Sequence, residues 1–265
     1  MEEAGMSSQP RGYVDKEYLD RAGEELISLK RLSHESLHLQ PGHKVLDVGC
    51  GPATDTIPLA DWVGPSGQVI GVDHDPEMVT EANRRTLAAG VRWVEHQCAD
   101  VNELPFQSSH FDAARAERLL IHLVDPARAL GELARVTKPG GRVVVLDTDF
   151  GALSLDTTET EIERRLVHFF ARHMLNNAYC GRRLRRLFKQ QGLVDVTARA
   201  VCLPVVDYAL ARRLWLMDRL ESDALEMGVV TAAELGRLKD DWERTSAAGG
   251  FFASVTMILA SASKR

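Results

Sequence analysis

From Val45 onward, short runs of β-branched and aliphatic residues alternate with longer stretches whose apolar side chains recur every three or four positions. The first kind of run suits a strand buried on both faces, and the second suits an amphipathic helix. The pattern predicts strands at VLDVG (from residue 45), QVIGVD (68–73), VRWVEHQ (91–97), FDAARA (111–116) and RVVVLD (142–147). Helices are expected over 54–63, 76–89 and 126–136, and the breaker TKPGG (137–141) reads as a turn. Strands alternating with helices in this way build a parallel sheet covered on both faces.

Beyond residue 150 the rhythm changes. Helical spacing covers 159–175 and 181–191, with Gly192 placed to end the second helix. Strand VDVTARAVCL (194–203) follows, then a helical stretch over 207–245 broken at Gly228, and a last strand in FFASVTMILASAS (251–263). The insert between the last two strands is far too long for a hairpin, and inserts of that size tend to bind substrate or cover a site. Ahead of the alternation, Leu19, Ala22, Leu26, Leu29, Leu32 and Leu37 predict one or two helices within 13–40. The polar opening MEEAGMSSQPRG (1–12) reads as a frayed tail without the apolar segment of a signal peptide. The expected organisation is therefore a disordered tail (1–12), N-terminal helices (13–40), a nucleoside-binding core (41–150), and a C-terminal part (151–265) carrying a helical insert at 207–248.

Composition narrows the class. With 265 residues, 45% of them hydrophobic, the chain can bury a sizeable core. A net charge of −6 argues against a non-specific nucleic-acid binder. Cys50, Cys98, Cys180 and Cys202 are scattered without a C-x-x-C pair, which predicts a reduced, cytoplasmic protein with neither disulfides nor a zinc site. No apolar run reaches membrane-spanning length. A homodimer is compatible with the chain.

The chemistry concentrates in HKVLDVGCGPATDT (43–56). Gly49 and Gly51, at the end of the first strand, let a ligand approach the main chain because they carry no Cβ. Thr54 stands where the dinucleotide fingerprint needs Gly or Ala, Pro52 removes an N–H donor, and the phosphate-loop pattern is absent. Asp47 would repel a pyrophosphate and suits a cation. Asp73, closing the second strand, can accept from a ribose diol, and Asp100, after the third, from an exocyclic amine. Glycines beside three acids at three strand ends describe a pocket for a cationic nucleoside.

VLDVGCGPA, GVDHDPEM, CADVNELPF, FDAARAERLLIHL and ELARVTKPGGRVVVLD resemble the successive motifs of class I S-adenosylmethionine-dependent methyltransferases, especially the ubiquinone/menaquinone-type group. The resemblance is dense over residues 40–150. It implies a Rossmann-like seven-stranded α/β sheet, order 3-2-1-4-5-7-6 with the last strand antiparallel, helices on both faces, and S-adenosylmethionine as cofactor. By the same resemblance Gly49 and Gly51 adjoin the methionine part of that cofactor. Asp73, with His74 beside it, holds the ribose, Asp100 meets the adenine amine, and Val101 packs on the base. Main chain around Arg115 and Ala116, with Asp47, faces the methionine amino group. Ala53 departs from the usual pattern, where a third glycine is common.

Methyl transfer needs alignment above all, and a base only where the nucleophile must lose a proton. His122 is the candidate base; Glu117, with Arg118, falls where an acceptor should sit, although a charged helix start would read the same way. Tyr179, Tyr208, His168 and His173 belong to the segment expected to cover the acceptor, and the apolar Trp215, Leu216, Met217, Phe251 and Phe252 suit a flat hydrophobic molecule or simply a core. His168 and His173 are five apart, off the i,i+4 spacing of a metal pair, and no metal is expected. Eight Lys or Arg and no acids occupy 164–189, which fits a solvated helix face better than an RNA site. The expected activity is methyl transfer to O, N or C of a small-molecule acceptor. The alternatives are an RNA methyltransferase using the basic segment, or a protein that binds the cofactor without methylating.

Overall fold

The computed structural model describes residues 27–265. The expected tail (1–12) and residues 13–26 of the expected helical region lie outside the described residues; helix α1 (Ile27–Glu35) is the helix described there. The alternation then runs β1 (Lys44–Val48), α2 (Thr56–Val63), β2 (Gln68–Asp73), α3 (Pro76–Ala88), β3 (Val94–Cys98), β4 (Phe111–Glu117), a 3-10 turn (Leu120–His122), α4 (Pro126–Val136) and β5 (Thr137–Leu155). The C-terminal part adds α5 (Thr160–His173), α6 (Cys180–Gln190), β6 (Val194–Val205), α7 (Tyr208–Leu214), α8 (Met217–Glu226), α9 (Ala232–Ala247) and β7 (Ala253–Ser263). The sheet order is β3-β2-β1-β4-β5-β7-β6, with β7 antiparallel to both neighbours, as the resemblance implied.

Alternation along the strands sorts side chains onto the two faces. On one face Leu46, Val48, Ala114, Ala116, Val143 and Val145 pack under α4 and α6. On the other, Val45, Ala113, Val144 and Leu146 meet Leu29 of α1 and Leu59 and Val63 of α2. The same parity puts Asp47, Arg115 and Glu117 on the α1–α2 side, and the register sets Asp47 directly beside Arg115. A third apolar cluster, apart from the sheet core, joins α5, α7, α8 and α9 into a cap around Phe170, Trp215, Leu238 and Trp242.

Three local expectations differ from the structure. The segment Thr137–Gly141 is not a free turn but the start of β5. It bends at Gly140 (φ +77°), yet Thr137 stays in register with Phe111, and Gly140 N–H donates to Lys264 O (2.9 Å). β5 also runs on past Asp147, because Ser154 and Leu155 pair with β7 again beyond a register shift at Asp149/Ser154. The stretch over 207–245 breaks twice: at Gly228 (φ +67°), as expected, and at Leu216, which takes a left-handed conformation (φ +50°) ahead of α8. A capping box between Thr231 and Glu234 restarts the chain into α9.

Candidate active site

A cavity of about 360 Å³ opens at the carboxyl ends of β1, β2 and β4, where an open α/β sheet places its ligands. Its size falls within the range of small-molecule sites, about 300–1,000 Å³. Gly49 and Gly51 form its floor with φ of +72° and +51°, and Ala53 follows at +68°. Successive left-handed residues are costly with a Cβ, which is why glycine predominates in such a loop and alanine is a small departure from it. The loop is pinned from below: Gly49 and Cys50 N–H both donate to Val72 O.

Asp73 organises the β2 side. Its Oδ2 accepts from Gly51 N–H (2.9 Å) and its Oδ1 from Asp75 N–H (3.1 Å), so the carboxylate is fixed while its remaining lone pairs can meet a diol. His74 Nδ1 lies 3.2 Å from Asp73 Oδ1, and that bond raises the imidazole's pKa. Asp100 Oδ1 accepts from both N–H groups of Asn102, leaving Oδ2 for another donor, and Val101 is buried against the same wall.

On the β1–β4 side lies a cluster of buried charges. Arg115, wholly buried, donates from Nη1 to Asp47 Oδ1 (3.0 Å) and from Nη2 to Glu117 Oε2 (2.7 Å). Lys30 of α1 reaches both Asp55 and Glu117 Oε1, the latter at 3.0 Å, and His34 Nε2 lies 2.9 Å from Asp55 Oδ1. Burial pushes the Asp47 carboxyl up to about 7, against the pull of Arg115. Asp55 is held well below the usual carboxylate range: burial opposes ionisation there, but Arg115, His34 and Lys30 together outweigh it. Burial likewise works against Glu117, yet Lys30, Arg115 and Arg118 bring its pKa below the ordinary value. Glu117 is thus the buried last residue of β4 rather than a charge at an exposed helix start, and Arg118 follows in a left-handed conformation (φ +49°).

His122 ends the 3-10 turn on the cavity rim. Asp147, buried within β5, accepts from Leu120 N–H (2.8 Å) and Ile121 N–H (3.3 Å) and so fixes that turn. From the loop joining α5 to α6, Asn177 N–H donates to Ile121 O, Asn177 Nδ2 to Leu123 O, and Asn176 Nδ2 to His122 O. Of the sequence-predicted residues, Asp47, Gly49, Gly51, Asp73, His74, Asp100, Val101, Arg115, Glu117 and His122 all line this one cavity, and Ala116 sits buried at the adjoining end of β4.

The cap residues lie elsewhere. Tyr208, Trp215, Met217 and Phe251 pack into the cap's own core, His173 stacks on Phe169 and bonds Asp223, and His168 is exposed. Tyr179 packs on Gly151 beneath Arg182 and Arg183. Arg182, Arg183, Arg185 and Arg186 form the exposed face of α6, whose buried face is Leu184, Leu187 and Phe188. Sequence reasoning missed Lys30, His34, Asp55 and Asp147. Only the parity of Asp47, Arg115 and Glu117 on paired strands signalled that a buried acid–base cluster had to be completed from another element. Among the described residues, no group of three His, Cys, Asp or Glu side chains is placed to hold a metal ion, and no helix is long and apolar enough to cross a membrane.

An anchored acid at β2, a half-free acid and an apolar wall after β3, and acids at β1 and β4 above a Cβ-free floor fit a nucleoside carrying a cationic tail. The sheet order is Rossmann-like, with the cavity at its carboxyl edge. The sequence matches the family described as a methyltransferase domain over residues 39–194, and the chain belongs to that family. It is 35% identical to an uncharacterized 37.1 kDa protein in transposon TN4556 of Streptomyces fradiae, over 91% of this chain and 69% of that protein. It is 39% identical to a demethylmenaquinone methyltransferase of Bacillus cytotoxicus over 42% of this chain, a match spanning 47% of that relative, under half its length. The fold superposes on the YcgJ protein of Bacillus subtilis with a TM-score of 0.62 at 21% identity, covering 89% of this chain and 97% of that one. The chain thus carries a methyltransferase domain.

Proposed function

We propose that this protein transfers the methyl group of S-adenosylmethionine to O, N or C of a small-molecule acceptor in the cytoplasm, with residues 41–150 binding the cofactor and the 151–265 part, including the 207–248 insert, shaping the acceptor side. The single observation carrying this reading is that the ribose acid Asp73, the glycine floor and His122 share one cavity. The bound cofactor supplies a methyl on a sulfonium that needs little activation, so the protein's contribution is alignment in a closed site. Asp73 and Asp100 orient sugar and base, and Asp47 and Glu117 supply negative charge toward the ammonium. Glu117, saturated by Lys30 and Arg115, acts as an electrostatic anchor rather than a proton carrier. His122, fixed by Asp147 from below and by Asn176 from the cap, is the group to accept a proton where the acceptor must lose one. The match to a demethylmenaquinone methyltransferase supports an apolar ring acceptor. The acidic net charge and the paired Arg182 speak against RNA, and the long, low-charge edge strand β6 suits a homodimer contact.

Calorimetric titration with S-adenosylhomocysteine should show saturable binding, weakened by roughly tenfold to a thousandfold in Asp73→Ala, the loss of one or two charge-assisted hydrogen bonds. Mass spectrometry of a quinol and phenol panel should show a gain of one methyl group. Absence of binding in the parent protein would overturn the reading.

A further inference from the structure

We propose that Arg118 is the receptor for the carboxylate at the amino-acid end of the cofactor. This rests on the cofactor reading above and adds the residue that completes it. Asp73 and Asp100 stand at the ends of β2 and β3, so sugar and base occupy that side. The rest of the ligand must then extend over the ends of β1 and β4, the next strands in the sheet. Beyond the sulfonium, that remaining part ends in two opposite charges, an ammonium and a carboxylate. Asp47 and Glu117 answer the ammonium. The carboxylate needs a cation with donors to spare.

The cations around the cavity differ in what they have left. Arg115 is fully enclosed and has committed Nη1 to Asp47 and Nη2 to Glu117. Lys30 is held between Asp55 and Glu117. His74 is bound to Asp73, at the sugar end. Arg118 lines the cavity with its side chain 17% exposed; its one ion pair is with Glu117, whose Oε1 lies 3.4 Å from Nε without forming a hydrogen bond, and its charge also acts on the buried Asp147. Among the described residues neither of its Nη groups donates to anything, so the fork that matches a carboxylate in two parallel bonds is open.

The backbone is built to hold it there. Arg118 takes φ +49°, a region an arginine rarely adopts, and its N–H donates to Leu146 O of β5 (2.8 Å). A residue kept in an unfavourable conformation by a sheet hydrogen bond, with an open guanidinium on a cavity wall, has the marks of a binding residue.

The test compares two ligands by calorimetry: S-adenosylhomocysteine, and S-adenosyl-3-thiopropylamine, the same molecule without its carboxylate. The parent protein should bind the first roughly ten- to a hundredfold more tightly. Arg118→Met should abolish that difference by weakening only the carboxylate-bearing ligand. Arg118→Asn, whose side chain tolerates the left-handed conformation, should give the same selective loss in a protein of unchanged thermal stability. Equal weakening of both ligands, or no weakening of either, would overturn the proposal. Were the parent protein to bind neither, the cofactor reading itself would fall. Binding of both with no preference would sink the role of Arg118 alone.

Discussion

Two charge clusters among the described residues, one partly buried in the cap and one buried beneath the cavity, are finished differently. In the cap, Arg212 bridges α7 to α8 by donating to Glu221 Oε1 (2.7 Å) and Oε2 (3.2 Å), to Tyr208 Oη (2.9 Å) and to Asp218, while Lys239 of α9 adds a second bond to Glu221 (3.0 Å). No side-chain atom of that cluster is buried without a hydrogen bond. Beneath the cavity, Arg115 Nε and Arg118 Nε are buried without a hydrogen bond, and Glu117 Oε1 has only ion-pair contacts, to Lys30 (3.0 Å) and Arg118 (3.4 Å). Buried polar groups are normally satisfied, so the first cluster reads as a clasp between helices. The second stores an electrostatic field, aimed at the cavity that its members line.

Breaking each cluster at its arginine tests the contrast. Arg115→Met would leave Asp47, Asp55 and Glu117 facing one another with Lys30 as the nearest remaining cation. The expected loss is about 3–5 kcal/mol of stability in urea unfolding, together with loss of cofactor binding. Arg212→Met, at a site nearer solvent, should cost about 1–3 kcal/mol and leave S-adenosylhomocysteine affinity within about twofold. An Arg212 variant that lost cofactor affinity as severely as the Arg115 variant would erase the distinction.

The smallest effect sharpens it. The Asp47 carboxyl titrates near 7, with Arg115, Lys30, Asp55 and Glu117 around it. The ligand's ammonium favours its ionised form, so below pH 7 binding must expel a proton, and above it need not. Affinity for S-adenosylhomocysteine should therefore fall by a few-fold to about tenfold between pH 7 and 6, and stay level from 7.5 to 8.5. Calorimetry in buffers of different ionisation enthalpy would detect the proton released. An affinity independent of pH across this range would remove Asp47 from the field the cavity senses.

The half of the molecule facing the cofactor was readable because its signals are local. A glycine loop and an acid at each strand end are fixed by a few neighbouring residues and by the parallel alternation, and these gave the parallel sheet and the place of the cavity, while the strand order came from the family resemblance. The helical insert was legible as helix but not as wall: Tyr208, Trp215 and Phe251 have the same spacing whether they line a pocket or, as here, fill a core. The buried cluster was hidden for a different reason. Lys30 and Asp55 reach Glu117 and Arg115 across long stretches of sequence, and nothing in a helix such as ISLKRLSHE marks its lysine as buried. Likewise β5 looked as if it stopped at Asp147, since its continuation depends on pairing with a strand about a hundred residues later.

The three carbonyls of Ile121, His122 and Leu123 are all gripped by the asparagine pair that leads from α5 into α6. The rim of the cavity is in this way rigged to the cap like a drawbridge to its chain. Any swing of the cap that keeps those bonds carries His122 with it. The chain enters α5 just after the stretch where β5 loses step with β7, between Asp149 and Ser154.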